Sequence, residues 1–249
     1  DAISRDIKNT QDLALQYSDE DKIPNFPNLK KQLEIKNLTF SYPEASKSTL
    51  RDIDLTISAN SLVAFVGSTG AGKTTLVDLI LGLLKPQQGS IIVDGVPING
   101  DNLSSWQKTL GYVPQDIFLF EGTIAANIAF WVLEENIDIA NVIGSAKTAQ
   151  IHDFIENDLP DGYDTIIGGQ GARLSAGEKQ RIGIARALYQ KPSFLILDEA
   201  TSALDGVTEK HFMRAVHSLA QKMTIVCIAH RLSTVKECDA IHMLENETI

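Results

Sequence analysis

Gly67-Ser-Thr-Gly-Ala-Gly-Lys-Thr74 is the stretch that decides the fold of this chain. Two glycines bracket four residues and are followed by Lys73 and Thr74, the pattern of a phosphate-cradling loop. The apolar, β-prone Ser61–Val66 precedes it, and Thr75-Leu-Val-Asp-Leu-Ile-Leu81 follows with helical spacing. Strand, glycine loop and helix form the context that such a loop needs. The glycines let the backbone curl until its N–H groups converge on phosphate oxygens at the positive end of a helix. Gly67, Ser68, Thr69, Gly70, Ala71, Gly72, Lys73, Thr74 and Thr75 are therefore the expected cradle. Lys73 adds a point charge at the β- and γ-phosphates, and the Thr74 hydroxyl is placed to ligate Mg²⁺. With the context satisfied, a glycine turn that binds nothing is set aside in favour of a nucleoside triphosphate site.

The 249 residues suffice for one large domain or two small ones, and 43% hydrophobic with 22% charged residues is ordinary for a soluble globular protein. A net charge of −10 argues against a nucleic-acid partner. Cys227 and Cys238 lack metal-ligand spacing and read as buried free thiols of a reducing compartment. No stretch reads as a signal peptide or a membrane span. The chain opens without an initiator methionine, within a helical pattern, and is expected to be a fragment of something longer.

Ala2, Ile3, Ile7, Leu13, Ala14 and Tyr17 predict a helix over residues 1 to about 18, and Pro24 and Pro27 mark a linker over 19–28. This helix is either the tail of an upstream domain or one packed on the domain that follows. Leu33–Phe40 and Leu50–Ile57 alternate as strands of an antiparallel layer. Strands are then expected at Ser90–Asp94 and Leu110–Val113, with a short helix between them around Ser104–Thr109. From Thr123 to about Leu159 the pattern is helical, and a strong helix runs from the Leu174–Glu178 region to Tyr189. Phe194–Leu197, Val207–Ala220, Thr224–Ile228 and Ala240–Leu244 alternate strand, helix, strand, strand. Such alternation predicts an α/β fold with a mainly parallel sheet, an antiparallel β layer and a helical subdomain over about 116–190.

Phe194-Leu-Ile-Leu197 leads into Asp198-Glu199, which places two carboxylates at the sheet edge where the phosphate loop opens. Asp198 is the expected Mg²⁺ ligand and Glu199 the group that polarises the attacking water, a role worth roughly 10²–10⁴-fold. An acidic helix cap is the alternative for this pair. His230 follows another buried strand, Thr224–Ala229, and is expected to contact the γ-phosphate. His152, His211, His217 and His242 read as surface or packing residues.

Together these residues resemble the ATP-binding domain of the ABC (ATP-binding cassette) superfamily, from about Leu33 to the end of the chain. The resemblance implies a P-loop NTPase core and adds roles. Tyr42 matches the aromatic that stacks on adenine, a contact worth on the order of 1–3 kcal/mol. Gln115 matches the glutamine that touches metal and water while linking to a transmembrane partner. Ser175, Ala176, Gly177 and Glu178 match the family signature that acts on the nucleotide of a second copy, and Asp205 lies in the loop that crosses between copies. Val113-Pro-Gln-Asp116, Gly122-Thr-Ile124, Asn127-Ile128 and Ala229-His-Arg-Leu-Ser-Thr234 resemble exporter-type half transporters. That likeness implies a transmembrane domain fused upstream, with residues 1–32 as helix and linker and 33–249 as the ATPase. Leu76–Pro86 is similar to members that move lipid-linked sugars or polysaccharides.

Three departures accompany the resemblance. Ala176 and Glu178 stand where the usual Leu-Ser-Gly-Gly-Gln has glycine and glutamine. Ala176 is expected to cost backbone freedom, and Glu178 to bring a carboxylate near the partner's triphosphate. Gly168-Gly-Gln-Gly171 lacks the glutamate that exporters often carry before the signature. The chain stops at Ile249, inside what is expected to be a terminal hairpin. The expected function is a Mg²⁺-dependent ATPase on the cytoplasmic face of a membrane, driving export as a head-to-tail pair with itself or a paralogous subunit. DNA- and ribosome-directed members are the first alternative, but this chain has neither a heptad run between Lys73 and Ser175 nor a second cassette. A GTP switch is the second, and its Asn-Lys-Xaa-Asp motif is absent.

Overall fold

The computed structural model describes residues 26, 28–43, 47–168, 171–200, 206–229, 235–245 and 248, with the backbone alone for Val207 and His211. The helix expected over 1–18, most of the linker, Gly169, Gln170, the Ser202–Asp205 loop and His230 lie outside the described residues.

Two sheets carry the fold. The first is antiparallel and ordered β2-β1-β4-β5, from β1 (Gln32–Phe40), β2 (Leu50–Ser58), β4 (Gln88–Val93) and β5 (Val96–Pro97). The second is ordered β11-β3-β10-β9-β6, from β3 (Leu62–Val66), β6 (Leu110–Val113), β9 (Phe194–Asp198), β10 (Thr224–Ile228) and β11 (Ala240–Met243). Every pairing in the second sheet is parallel. A two-residue pair, β7 (Gly122–Thr123) and β8 (Ile166–Ile167), fastens the helical region.

The apolar runs of β3, β9 and β10 are continuous because both faces of the parallel sheet are buried. Phe194 and Ile196 enter a core shared with the antiparallel layer, and so do Val226, Ile228, Val63 and Phe65. Their neighbours Leu195, Leu197, Ile225 and Cys227 face the opposite core, built from helices. Those helices are α3 (Ile124–Ile128), α4 (Ile139–Thr148), α5 (His152–Asp158), α6 (Ala176–Tyr189) and α7 (Gly206–Ala220). On the other face lie α1 (Lys73–Ile80) and α2 (Leu103–Gln107). Each expected element is present where it is described, and within the helical stretch expected from Thr123 to about Leu159 the longest helix begins at Ile139, capped by the Asp138 side chain.

Phe26, within the stretch expected to be linker, is 8% exposed and packs edge-on against Trp106 at 5.6 Å. Trp106 in turn donates its indole N–H to the Ile80 carbonyl at 2.8 Å, so this aromatic pair braces the end of α1. The following turn is held by Asp94, whose carboxylate accepts the N–H groups of Lys30, Lys31 and Gln32 at 2.7, 2.8 and 2.9 Å. Cys227 and Cys238 are thiols outside any disulfide, the first buried and the second half-buried, and burial raises both above the usual thiol range.

Candidate active site

Parallel pairing puts the carboxyl ends of β3, β6, β9 and β10 at one edge. Phe65, Ile228 and Asp198 share a row, and Val113 pairs with Leu197. One or two residues beyond that row come Gly67, Glu199 and Gln115, which the sequence scatters over the chain. This is the crevice in which open α/β sheets hold ligands.

The loop after β3 is built on glycines for steric reasons. A Cβ on Gly67 would lie 2.4 Å from the Leu244 carbonyl oxygen, and one on Gly72 would lie 2.8 Å from Leu50. Gly72 adopts φ 93° as the N-cap of α1, a conformation that strains other residues. The helix therefore begins with no side-chain cap and no acid in its first turn. Ser68, Thr69, Gly70 and Thr74 are exposed, and Thr75 is buried. The loop closes with Ala71 N–H on the Ser68 carbonyl at 3.1 Å. Lys73 is 6% exposed and turns its ammonium onto the carbonyls of Gly67 and Ser68, at 2.8 and 2.9 Å. Tyr42, 42% exposed, stands edge-on to Phe40 with its hydroxyl 3.2 Å from Thr75 Oγ1. The ring thus reaches over the first turn of α1.

Asp198 ends β9 at 7% exposure and accepts the Tyr112 hydroxyl at Oδ2, 3.4 Å away. Burial first, then the Asp198 and Asp78 charges, push the Tyr112 phenol up to about 12, so Tyr112 stays a donor at neutral pH. Glu199 has φ 50°, a left-handed backbone costing a non-glycine residue about 1–3 kcal/mol. Its N–H reaches the Ile228 carbonyl at 3.3 Å, and Gln115 Nε2 donates to its Oε2 at 3.3 Å. The expected glutamine and the expected carboxylate are therefore in contact.

Ser175 is the N-cap of α6. Its Oγ accepts the Glu178 N–H at 3.3 Å, while its own N–H donates to Glu178 Oε2 at 2.7 Å. This capping box follows from Ser-x-x-Glu, a spacing legible at Ser175-Ala-Gly-Glu178. It changes the meaning of both departures. Ala176 is the first residue of the helix and is absent from the positive-φ residues, so alanine there loses no needed freedom. The Glu178 carboxylate is turned back onto its own helix end. Ser175 and Ala176 remain exposed, while Gly177 and Glu178 are half-buried. Asp205 and His230 lie outside the described residues.

Sequence reasoning assigned no role to several residues that organise this site. Arg186 on α6 donates to the Phe118 and Asn127 carbonyls, both at 2.8 Å, and lies 4.5 Å over the Phe130 ring. Asn127, fully buried, bonds the carbonyls of Phe120 and Thr123 at 3.1 Å. Together they join the segment after Gln115 to α6. Gln180 escaped notice as well, although a polar residue on the apolar stripe of a helix is a recognisable signal.

Known proteins resemble this chain in sequence and fold. A family described as "ABC transporter" matches residues 50–202. ABC transporter B family member 29, chloroplastic, of Arabidopsis thaliana is 46% identical over 86% of this chain and 34% of its own length. An ATP-dependent lipid A-core flippase of Syntrophus aciditrophicus is 43% identical over 94% of this chain and 38% of its own. The structure of a bacterial Atm1-family ABC exporter with ATP bound superposes with a TM-score of 0.83 at 38% identity, covering 93% of this chain and 40% of that one. The chain thus spans little more than a third of the length of the relatives it matches. Among the described residues no helix is long and apolar enough to cross a membrane.

Proposed function

The chain belongs to the ABC transporter family, and from that premise we propose that it is the ATP-hydrolysing motor of an exporter, working with Mg²⁺. The observation that carries this reading is the meeting of Gln115 with Glu199 at the edge where the glycine loop also opens. ATP lies along residues 67–75, and the Lys73 ammonium exchanges two loop carbonyls for phosphate oxygens. Tyr42 offers its ring face to adenine. Thr74, Asp198 and Gln115 are hard oxygen donors with a single carboxylate, a set that fits Mg²⁺ shared with phosphate. Bound there, the cation neutralises phosphate charge. Glu199 polarises the attacking water and accepts its proton as the bond to the γ-phosphorus forms and the β–γ bridge breaks, releasing ADP and phosphate. Gln115 orients that carboxylate, and His230 contacts the γ-phosphate.

Two copies, or this chain and a paralogous subunit, meet head to tail, so that each ATP also touches Ser175 and Gly177 of the other copy. The Asp205 loop crosses between them. Closure pulls on a transmembrane domain fused ahead of residues 1–32, at the cytoplasmic face of a membrane, and hydrolysis releases it. The exposed Phe118 and Trp131, at 69% and 91%, support a protein contact on the α6 side of the site. Relatives named as lipid A-core flippases support a lipid-linked cargo over a peptide or a free polysaccharide.

Mixing two inactive variants tests the shared site. Lys73→Ala and Ser175→Arg are each expected to abolish hydrolysis. In a mixed dimer both lesions fall in one site, which leaves the other intact and recovers up to about half the activity if the sites work independently. Failure to recover, in a protein that stays monomeric and turns over in strict proportion to its concentration, removes the shared site.

A further inference from the structure

Gln180 is buried on α6 at 3% exposure, in line with Gly183, Ile184, Ala187 and Leu188. A buried amide needs a partner. Its Nε2 donates to the backbone carbonyl of Glu199 at 3.4 Å. Glu199 holds the left-handed backbone that aims its carboxylate, and such a conformation persists only where the surroundings enforce it. Its N–H is held by the Ile228 carbonyl, and its own carbonyl by Gln180. The same helix also packs against the segment on the Gln115 side of the carboxylate. A Cβ on Gly183 would meet Ile117 at 2.5 Å, so α6 lies against the segment that carries Gln115, whose amide touches Glu199.

We infer that Gln180 is a positioning residue, fixing the aim of the Glu199 carboxylate from the helix whose first residues serve the nucleotide of the other copy. This rests on the proposed role of Glu199 and adds to it a route between sites. A phosphate engaged at Ser175 of α6 bears, less than two turns later, on the backbone of the carboxylate in that chain's own site.

The test is steady-state ATP hydrolysis by Gln180→Met, which keeps the length and loses the donor. Turnover (kcat) should fall about tenfold, less than the roughly 10²-fold that a 1 Å misplacement can cost. KM and ATP affinity should stay within about twofold, because the Gln180 amide acts through the Glu199 carbonyl and not on the nucleotide. In a Glu199→Gln background the same substitution should change the residual rate by less than about twofold, since the two act through one carboxylate. Gln180→Asn, an amide one methylene short, should lie between wild type and Gln180→Met. It carries the same test if thermal unfolding shows Gln180→Met to be unfolded. An unchanged kcat, a KM that rises in step, or losses that multiply with Glu199→Gln would each overturn the inference. A fully active Glu199→Gln would overturn the reading of Glu199 and this inference with it. An inactive Glu199→Gln beside a normal Gln180→Met would overturn this inference alone.

Discussion

Two helix N-termini frame the candidate nucleotide sites, and they are finished in opposite ways. α1 starts from a left-handed glycine with no side-chain cap and no acid in its first turn. α6 starts from Ser175, with a closed capping box and Glu178 in its first turn. Every helix start leaves N–H groups unsatisfied and carries partial positive charge. At α1 those groups are left to a ligand, with Lys73 beside them. At α6 the capping box already answers two of them, the N–H groups of Ser175 and Glu178. On the proposed reading, phosphate capture belongs to one chain alone at α1, and at α6 the exposed Ser175 adds to a phosphate that another copy presents, against the field of Glu178.

Lys73→Ala should produce the largest break in this comparison. Losing a charge-assisted contact costs roughly 1.5–3 kcal/mol, about tenfold to more than a hundredfold in ATP affinity by titration calorimetry. Unchanged affinity would mean that the loop N–H groups bind phosphate unaided. Ser175→Ala should instead leave ATP affinity of the single chain alone and cost about 1 kcal/mol of stability through the lost cap. For a domain of this size that is about 2–4 °C in the unfolding midpoint. An affinity loss in the isolated chain would place Ser175 in its own site and erase the distinction.

Glu178→Gln sharpens the comparison from the other side. The amide can still take the Ser175 N–H, so the helix keeps its cap while the charge near the second phosphate is removed. A charge at a helix end is worth about 0.3–1 kcal/mol, so ATP-dependent association should tighten about two- to fivefold. Light scattering in a Glu199→Gln background reads this directly, and weaker association would show the carboxylate to be useful there.

Asp94 supplies the smallest effect and a control, because it is an anion held by N–H groups away from both helices. Burial raises its carboxyl, but the N–H groups of Gln32, Lys30 and Lys31, with the Lys31 ammonium, outweigh that and hold it below the usual carboxylate range. A lowered folded pKa stabilises the fold above the unfolded value, and the contribution is lost as pH falls through the folded one. Asp94→Asn should therefore lower the unfolding midpoint slightly at pH 7, with the gap closing below about pH 4. A gap that does not change with pH would assign the loss to packing rather than charge.

The parallel sheet was legible because β3, β9 and β10 are buried on both faces and so read as unbroken apolar runs. The glycine loop was legible because its spacing is local chemistry. Ala176 and Glu178 stood out as departures, but the capping box that Glu178 closes with Ser175 went unread in the sequence. Phe26 sat among prolines and charges and gave no sign of reaching Trp106.

By itself, then, the sequence determined the glycine loop, the position of Asp198 and Glu199 at a strand end and the type of nearly every described element, because these depend on residues within one turn or one strand. Tertiary structure alone decided that Gln115 meets Glu199 across 84 positions and that Gln180 lies under the Glu199 carbonyl. Both contacts depend on β6 lying beside β9 and on α6 crossing back over that pair. Such neighbours are chosen by the packing of two cores against one sheet, a balance to which every buried side chain contributes and which no single stretch of sequence encodes.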